Sequence, residues 1–521
     1  MSNSKNLPFS FSMNINAQSE DGDVDLQTQQ DACFSIAMMG DFSNSIDNSN
    51  ISDRNFIAID RFNFDEILQS LAPRLSLSMD DSGQASSSDE NNINLSLESL
   101  KDFQPGSLYK NMPVFSHLRD LRKRLNNPAT FKQAMLEMDL PEKAATDKVA
   151  PSEVPKDSKQ PKSVAPSPIE PGVSLIDSIM DETTGQLEQN VDETLSTTNS
   201  KTKSLVDVFI RQTIGTRKTL SRDSRQDELV ASVDAIIAQQ MRNILHHPKF
   251  QALESLWRSV YFVVKRIRGG KAVKLYLFDI NNDELAADLA ADDVTQSKLY
   301  QQFCDGPAND INWNLIIGDY RFGADIEDML RLSQIGLIAQ KAGAHFIAAA
   351  NESLIGCPSF ATTPKVGDWQ NEAYQSSKQA WTLLRQSSVA KSISLALPRF
   401  LLRMPYGNKT IPVTAFAFEE MPDHPNHNDY LWGNPAFLKA EQIARTFLTS
   451  GWDMNYANAM TAEDLPVHYF EQAGQTQVKP CAEIPLTDSG AGKMIAQGLI
   501  PLWSVRNADR IHSGDFHSIS E

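Results

Sequence analysis

The run LVASVDAIIAQQMRNILHHPKFQALESLWRSVYFVVKRIRGGKAVKLYLFDI, Leu229 to Ile280, decides the fold class. Leu229, Val230, Val233, Ile236, Ile237, Met241, Ile244 and Leu245 recur at helical spacing and form one apolar stripe. Pro248 interrupts that pattern, and Phe250, Leu253, Leu256, Trp257, Val260, Tyr261 and Val264 form a second stripe. Gly269 and Gly270 then turn the chain into AVKLYLFDI, whose alternation is that of a strand. Two amphipathic helices feeding a strand predict an α/β body. His246 and His247 fall at the corner between the helices, which makes them structural rather than catalytic.

The same reading continues toward the C-terminus. NLIIGDYRF (314–322), HFIAAA (345–350) and SISLALPRFLLRMPYG (392–407) read as strands, followed by a strand-rich tail. This body is expected to span 173–521. Toward the N-terminus the composition changes. Residues 140–172, LPEKAATDKVAPSEVPKDSKQPKSVAPSPIEPG, are rich in Pro, Lys and Ser and nearly free of large apolar side chains. Such a segment cannot bury enough surface to offset its ordering entropy, so a disordered linker is expected, spanning on the order of 30 Å.

Before it lies a mixed segment, 1–139. FSFSMNI (9–15) and CFSIAMMGDFS (33–43) are strand-like, NFIAIDRFNFDEILQSLAPRL (55–75) is a strand leading into a helix stopped near Pro73, and NLSLESLKDF (94–103) is a strand and turn. The polar stretch 80–92 reads as a loop. Val114, Leu118, Leu121 and Leu125 return to helical spacing, with Arg119, Arg122, Lys123 and Arg124 on the opposite face. The expected class is therefore α/β (α+β), with two mixed sheet-and-helix bodies joined by the linker.

Charge and cysteine usage narrow the function. The 521 residues carry 48 Lys and Arg against 66 Asp and Glu, a formal charge of −18. That balance opposes nucleic acid as the main partner, since phosphate binding needs a basic face. Cys33, Cys304, Cys357 and Cys481 are far apart and form no CxxC pair, which favours a reducing compartment over a disulfide framework. The N-terminus shows no apolar signal core. The most apolar stretch, Ile335–Ala350, is interrupted by Gln340, Lys341 and His345, so no membrane insertion is expected.

A search for reaction chemistry finds little. SGAGKM (Ser489–Met494) has Thr487 where a phosphate loop needs Gly, and Met494 where it needs Ser or Thr, so a plain turn is expected. His424, His427 and Asp429 lie close in sequence, but at no ligand-pair spacing, and a solvated loop is the better reading. His345 reads as a satisfied core histidine. No nucleophile elbow or paired catalytic carboxylates stand out. The expectation is a structural protein with no catalytic, cofactor or metal site.

Ordered blocks give that expectation a family. ILHHPKFQALESLWRSVYFVV (244–264), NDELAADL (282–289), IIGDYRF (316–322), HFIAAA (345–350), LALPRFLLRMPYG (395–407), YLWGN (430–434), GWD (451–453), LPVHYF (465–470) and GLIPL (498–502) resemble the large sheath subunit (TssC/VipB) of type VI secretion systems. DRNFIAIDRFNFDEILQSLAPRLSLSM (53–79) and NLSLESLKDFQPGSLYKNMPVFSHLRDLRKRL (94–125) resemble the small sheath subunit (TssB/VipA). The chain looks like a small and a large subunit fused head to tail. Relative to that pattern, the region after GLIPL is short. The stretches MNYANAMTAED (454–464) and DSGAG (488–492) replace family blocks.

The resemblance implies a non-enzymatic component of a contractile tail sheath in the bacterial cytoplasm, assembling around an Hcp tube and contracting to propel it. The partners it implies are other sheath subunits, the Hcp tube, the ClpV unfoldase and a baseplate. It also implies that SLIDSIM, through Ser174, Leu175, Ile176, Asp177, Ile179 and Met180, is the helix engaged by the unfoldase. The short end after GLIPL leaves open a sheath-associated cap or regulatory accessory that does not polymerise alone. A different class of reading, a nucleotide-dependent regulator centred on Lys493, stands or falls on ATP hydrolysis by the purified protein.

Overall fold

The computed structural model describes residues 33–44, 51–78, 92–137, 222–268, 270–291, 293–306, 311–369, 372–422, 425–455 and 461–521. The expected strand at 9–15, the linker 140–172 and the helix at Ser174–Met180 lie outside these residues.

In chain order the first segment gives β1 (Phe34–Gly40), β2 (Ile57–Ile59), α1 (Phe64–Leu71), β3 (Arg74–Ser78), β4 (Asn92–Ser96), α2 (Pro105–Asn111), α3 (Ser116–Asn126) and α4 (Pro128–Glu137). Helix α1 carries Asp65 and Glu66 in its first turn, where they suit the helix dipole, and ends at Ala72 in a left-handed conformation just before Pro73. The second segment opens with α5 (Arg222–Leu245), α6 (Pro248–Arg266), β5 (Val273–Asp279), α7 (Asn282–Asp288), β6 (Trp313–Phe322), α8 (Ile326–Lys341), β7 (His345–Ala350), α9 (Glu372–Gln386) and β8 (Ile393–Leu397). It closes with β9 (Phe400–Leu401), β10 (Trp432–Gly433), α10 (Pro435–Ser450), β11 (Thr461–Ala462), β12 (His468–Gln472), β13 (Gln475–Lys479), α11 (Asp488–Ala496), β14 (Leu499–Ser504) and β15 (Ile511–Ser513). At the corner expected from His246–His247, the His247 ring accepts the Lys249 N–H at 3.2 Å and caps α6, whose first position is Pro248.

Contacts divide the chain into two units, residues 117–233 and residues 1–116 with 234–521. The mixed α/β character agrees with the sequence. The unit boundaries follow packing and not composition, because strands from both segments share one sheet. In the smaller unit Leu118, Leu121, Leu125, Phe131, Ala134, Met135, Leu229 and Val233 are buried. There Gln226 donates to the Leu125 carbonyl at 2.6 Å.

The larger unit holds a nine-stranded sheet of order β11-β15-β14-β8-β7-β6-β1-β5-β2. Its centre is parallel, from β14 through β8, β7, β6 and β1 to β5, while β2, β11 and β15 are antiparallel to their neighbours. The strand FSIAMMG is inserted between β5 and β6, with Phe34 opposite Val273, Gly40 opposite Asp279 and Met38 opposite Ile317. All seven of its residues are buried. An apolar run of this kind, covered on both faces, is what an interior parallel strand requires.

Helices α6 and α10 lie together over one side, α10 against β6, β7 and β8. Helix α10 is buried through its first ten residues. Met329, Leu332, Ile335 and Ile338 of α8, Trp381 of α9 and Met494 of α11 join Ala37, Ile316, Phe346 and Leu395 in the main core cluster. The approach of α8 is close enough that a Cβ on Gly336 would strike the Ile393 side chain. Phe56 is wedged among Phe278, Phe303 and Trp313, with ring centres 4.8, 5.0 and 4.6 Å away.

Tyr261 departs from the expected stripe. It is 40% exposed, because it sits at the rim of α6, where its ring meets Phe64 edge-on at 5.2 Å.

Candidate functional site

The chemistry-bearing side chains of the larger unit are joined into internal networks, and the elements explain why. Helix α6 buries Glu254 in its apolar stripe, and the strand run LPRFLLRMPYG places Arg399 and Arg403 four residues apart. Arg403 is 5% exposed and lies between two carboxylates. It donates to Glu254 at 2.9 Å and to Glu420 at 2.8 and 3.0 Å. Arg258 adds a bond to Glu254 at 2.7 Å, and the Tyr406 N–H donates to Glu420 at 2.7 Å. His246 stands 3.5 Å from Glu420 and 3.6 Å from Asp429.

Burial opposes ionisation of Glu420, but the Arg403 charge, the His246 ring 3.5 Å away and hydrogen bonds from Arg403 and Tyr406 hold its carboxyl down at about 2. The same carboxylates hold the Arg403 guanidinium charged against burial. Two carboxylates face two guanidinium groups, so the cluster is internally balanced.

A second network adjoins β9 and β10. Arg399 donates to Glu483 through Nε at 3.1 Å, and His427 Nε2 lies 3.0 Å from Glu483 Oε1. Lys479 Nζ is 3.1 Å from His427 Nδ1 and stands 5.0 Å from the Trp432 ring centre. An ammonium donates, so Nδ1 accepts and Nε2 carries the proton toward Glu483. Burial takes Lys479 down to about 8. His427 is thus part of an ion-paired junction, which corrects the expectation of a solvated loop. His424 lies outside the described residues, and no three-member His, Cys, Asp or Glu group suited to a metal occurs among the described residues.

At the carboxyl end of the central strands, Asp279 accepts from the Phe42 N–H at 2.7 Å and the Ser43 N–H at 3.2 Å, so β5 grips the turn after β1. Arg54 donates to Glu284 at 2.8 Å, and Glu284 also closes the capping box of α7 with Asn281. Asn434 caps α10 through Ala436 and donates to Asp319 at 3.2 Å. Burial raises Asp41 to about 6, helped by Asp279; burial raises Asp319 to about 6 against the Asn434 bond. These groups tie the first segment, β5, β6 and α10 together.

The remaining sequence readings resolve plainly. SGAGKM is neither a phosphate loop nor a turn but the body of α11, capped by Thr487, whose hydroxyl accepts the Gly490 N–H at 3.2 Å. Its two glycines hid the helix, since glycine is a poor helix former. Lys493 donates to the Val366 carbonyl at 2.9 Å and caps the Trp369 ring. His345 is buried, bonded to the Ser394 hydroxyl at 2.8 Å, and burial takes it down to about 3.

Ser174, Leu175, Ile176, Asp177, Ile179 and Met180 lie outside the described residues. Glu254, Arg399, Arg403, Glu420 and Glu483 match no motif in the sequence. Their signal was a charged residue inside an apolar run, as in QALESLW, LPRFLLRM, AFAFEEM and PCAEIPL. No helix among the described residues is long and apolar enough to cross a membrane.

Networks that pair buried charges and bind strands to helices suit a structural body, and the comparisons with known proteins agree. A family model described as "EvpB/VC_A0108, tail sheath N-terminal domain" matches residues 227–519. One described as "Type VI secretion system, VipA, VC_A0107 or Hcp2" matches residues 13–143. The type VI secretion system sheath protein TssC1 of Pseudomonas aeruginosa (strain PAO1) is 30% identical over 293 residues, which cover 54% of this chain and 59% of that protein. The chain thus spans less than two thirds of that relative's length. With the tail-sheath model matching more than half of its residues, and the β1–β5–β6 ladder joining that region to a VipA-like segment, this chain belongs to the EvpB/VipB tail-sheath family of type VI secretion.

Proposed function

We propose that this chain is a non-enzymatic structural component of a type VI contractile tail sheath in the bacterial cytoplasm. In this reading it assembles with other sheath subunits around an Hcp tube, and contraction of the assembly propels the tube outward. The observation that carries the reading is the composite sheet, in which the VipA-like strand Phe34–Gly40 lies between Val273–Asp279 and Trp313–Phe322 of the VipB-like part. A sheath transmits force through its protomers, and a strand bonded on both edges by its partner segment resists being pulled out. Covalent fusion also fixes the ratio of the two parts and raises their effective concentration for each other. Engagement of Ser174, Leu175, Ile176, Asp177, Ile179 and Met180 by a ClpV-type unfoldase, and docking on a baseplate, belong to the same proposal.

Negative-stain electron microscopy with sedimentation of the purified chain tests it. Tubes or stacked rings are the expected result. Small particles both alone and after mixing with separate small and large sheath subunits contradict an assembling role.

A further inference from the structure

The larger unit presents two exposed apolar faces rimmed by opposite charge at opposite ends of its sheet. The first lies where α6 ends and β5 begins. Arg61, Phe64, Tyr261, Val264, Lys265 and Arg268 line a cleft of about 300 Å³. Phe62 beside it is 83% exposed and Tyr261 40%. Arg61 stacks on Phe62 at 4.8 Å and Lys265 on Tyr261 at 5.7 Å, but neither these two cations nor Arg268 makes an ion pair among the described residues. From Ser255 to Phe278 the sequence contains Arg258, Lys265, Arg266, Arg268, Lys271 and Lys274 and no acidic residue. The acids flanking Arg61 and Phe64 in sequence, Asp60, Asp65 and Glu66, are exposed but do not line the cleft, and Asp60 accepts the Phe62 and Asn63 N–H groups. In a chain of charge −18, such a basic aromatic face stands out.

The second face lies where β5 and β6 end. Arg331 bonds Asn282 at the start of α7 and Asp328 on α8, which draws the two helix starts together. Around that bridge Asp283, Asp325 and Glu327 are exposed, and none makes an ion pair among the described residues. Ile326 is 65% and Leu330 60% exposed, one turn apart on α8. The cations nearby are committed, Arg331 to Asp328 and Arg54 to Glu284.

Strand direction fixes the relation of the faces. β5 and β6 are both parallel to β1, so Asn282 and Ile326 follow their carboxyl ends while Arg268 precedes the amino end of β5. β2 runs antiparallel to β5, which carries Arg61 toward that same amino end. A seven-residue strand such as β5 is about 20 Å long, so the faces are separated by at least the length of the sheet.

We propose that the basic aromatic cleft of one copy of this chain receives the acidic aliphatic face of the next, a head-to-tail contact along the strand direction. Each face carries two exposed large apolar side chains and three free charges of one sign, and the signs are opposite. A heterologous contact of this kind passes from copy to copy, and runs on as an open file of subunits when its rotation does not close a ring. The inference rests on the assembling role proposed above and adds which surfaces meet. The oppositely charged rims steer the encounter, and Phe62, Tyr261, Ile326 and Leu330 supply the apolar area.

A charge-exchange experiment on the full chain tests this. One variant carries Arg61→Glu, Lys265→Glu and Arg268→Glu; the other carries Asp283→Lys, Asp325→Lys and Glu327→Lys. All six positions are exposed, and circular dichroism checks that each variant folds. Sedimentation velocity is expected to show self-association of the unmodified chain that weakens on the order of tenfold as salt rises from low to well above physiological strength. Each variant alone stays small, and an equimolar mixture of the two regains association, because each then offers the face the other lacks. Variants that associate like the unmodified chain, or a mixture of folded variants that stays small, overturn the assignment of faces while leaving the assembling role standing. An unmodified chain that never associates by itself, at any salt, overturns the assignment of faces; one that also stays small after mixing with separate small and large sheath subunits overturns the assembling role as well.

Discussion

Trp257 donates its indole N–H to the carbonyl oxygen of Phe42 across 3.1 Å, and its ring stands edge-on to Phe42 and Phe64 at 5.6 and 5.8 Å. Phe42 and Phe64 come from the VipA-like segment and Trp257 from the VipB-like one, so one side chain pins the strand, the helix after it and α6 together. Trp257→Ala is expected to cost about 3–5 kcal/mol, the range for truncating a buried aromatic. Equilibrium denaturation of the full chain measures it. Unchanged stability would show that α6 does not depend on the VipA-like segment.

Much of this arrangement was legible in the residues. The stripes of α5 and α6, the alternation of β5 and the apolar runs of β6 and β7 are local patterns, set by periodicity, and the structure places elements there. The insertion of β1 was not legible, because FSIAMMG specifies a buried strand but not its neighbours, which lie more than 200 residues away. The ionic junctions were hidden for a related reason. Glu254, Arg403 and Glu420 each look like a lone charge in an apolar run until the fold brings them together. Nothing local to His427 marks it as paired, because its partners, Lys479 and Glu483, are over 50 residues downstream.

The Arg403 cluster makes a paired prediction. Arg403→Met leaves Glu420 buried without its guanidinium while Arg258 still pairs Glu254, at an expected cost of about 3–5 kcal/mol. Adding Glu420→Gln removes the stranded charge and restores most of the loss, which thermal melting can follow. The pH sign is fixed by Glu420. Its folded pKa, about 2, lies below its ordinary 4.5, so it contributes stability above 4.5 that is lost as pH falls toward 2. That acid-side loss shrinks in Arg403→Met. An unaltered acid limb would show that the cluster does not set it.

Asp41 and Asp319 act in the other direction. Their folded pKa values, about 6, lie above the ordinary 3.8, so the folded state holds these protons more tightly than the unfolded state. Their contribution to stability is present below 3.8 and lost as pH rises to about 6. Asp319→Asn keeps the shape and the bond from Asn434 but removes the titration. The melting temperature of this variant relative to the unmodified chain is expected to climb across that window and level off above it. A difference independent of pH would place the Asp319 carboxylate in a site that does not penalise its charge.

The central claim is that the VipA-like segment completes the sheet of the VipB-like part from within. Hydrogen exchange on the full chain, resolved to single amides, tests it most directly. The account predicts that the amides of Ile36, Ala37 and Met38 in β1 exchange as slowly as those of Ile316 and Ile317 in β6, and far more slowly than amides of the edge strand Ile57–Ile59. Rapid exchange across Phe34–Gly40 with β6 still protected would contradict it, because β1 would then lie outside the sheet.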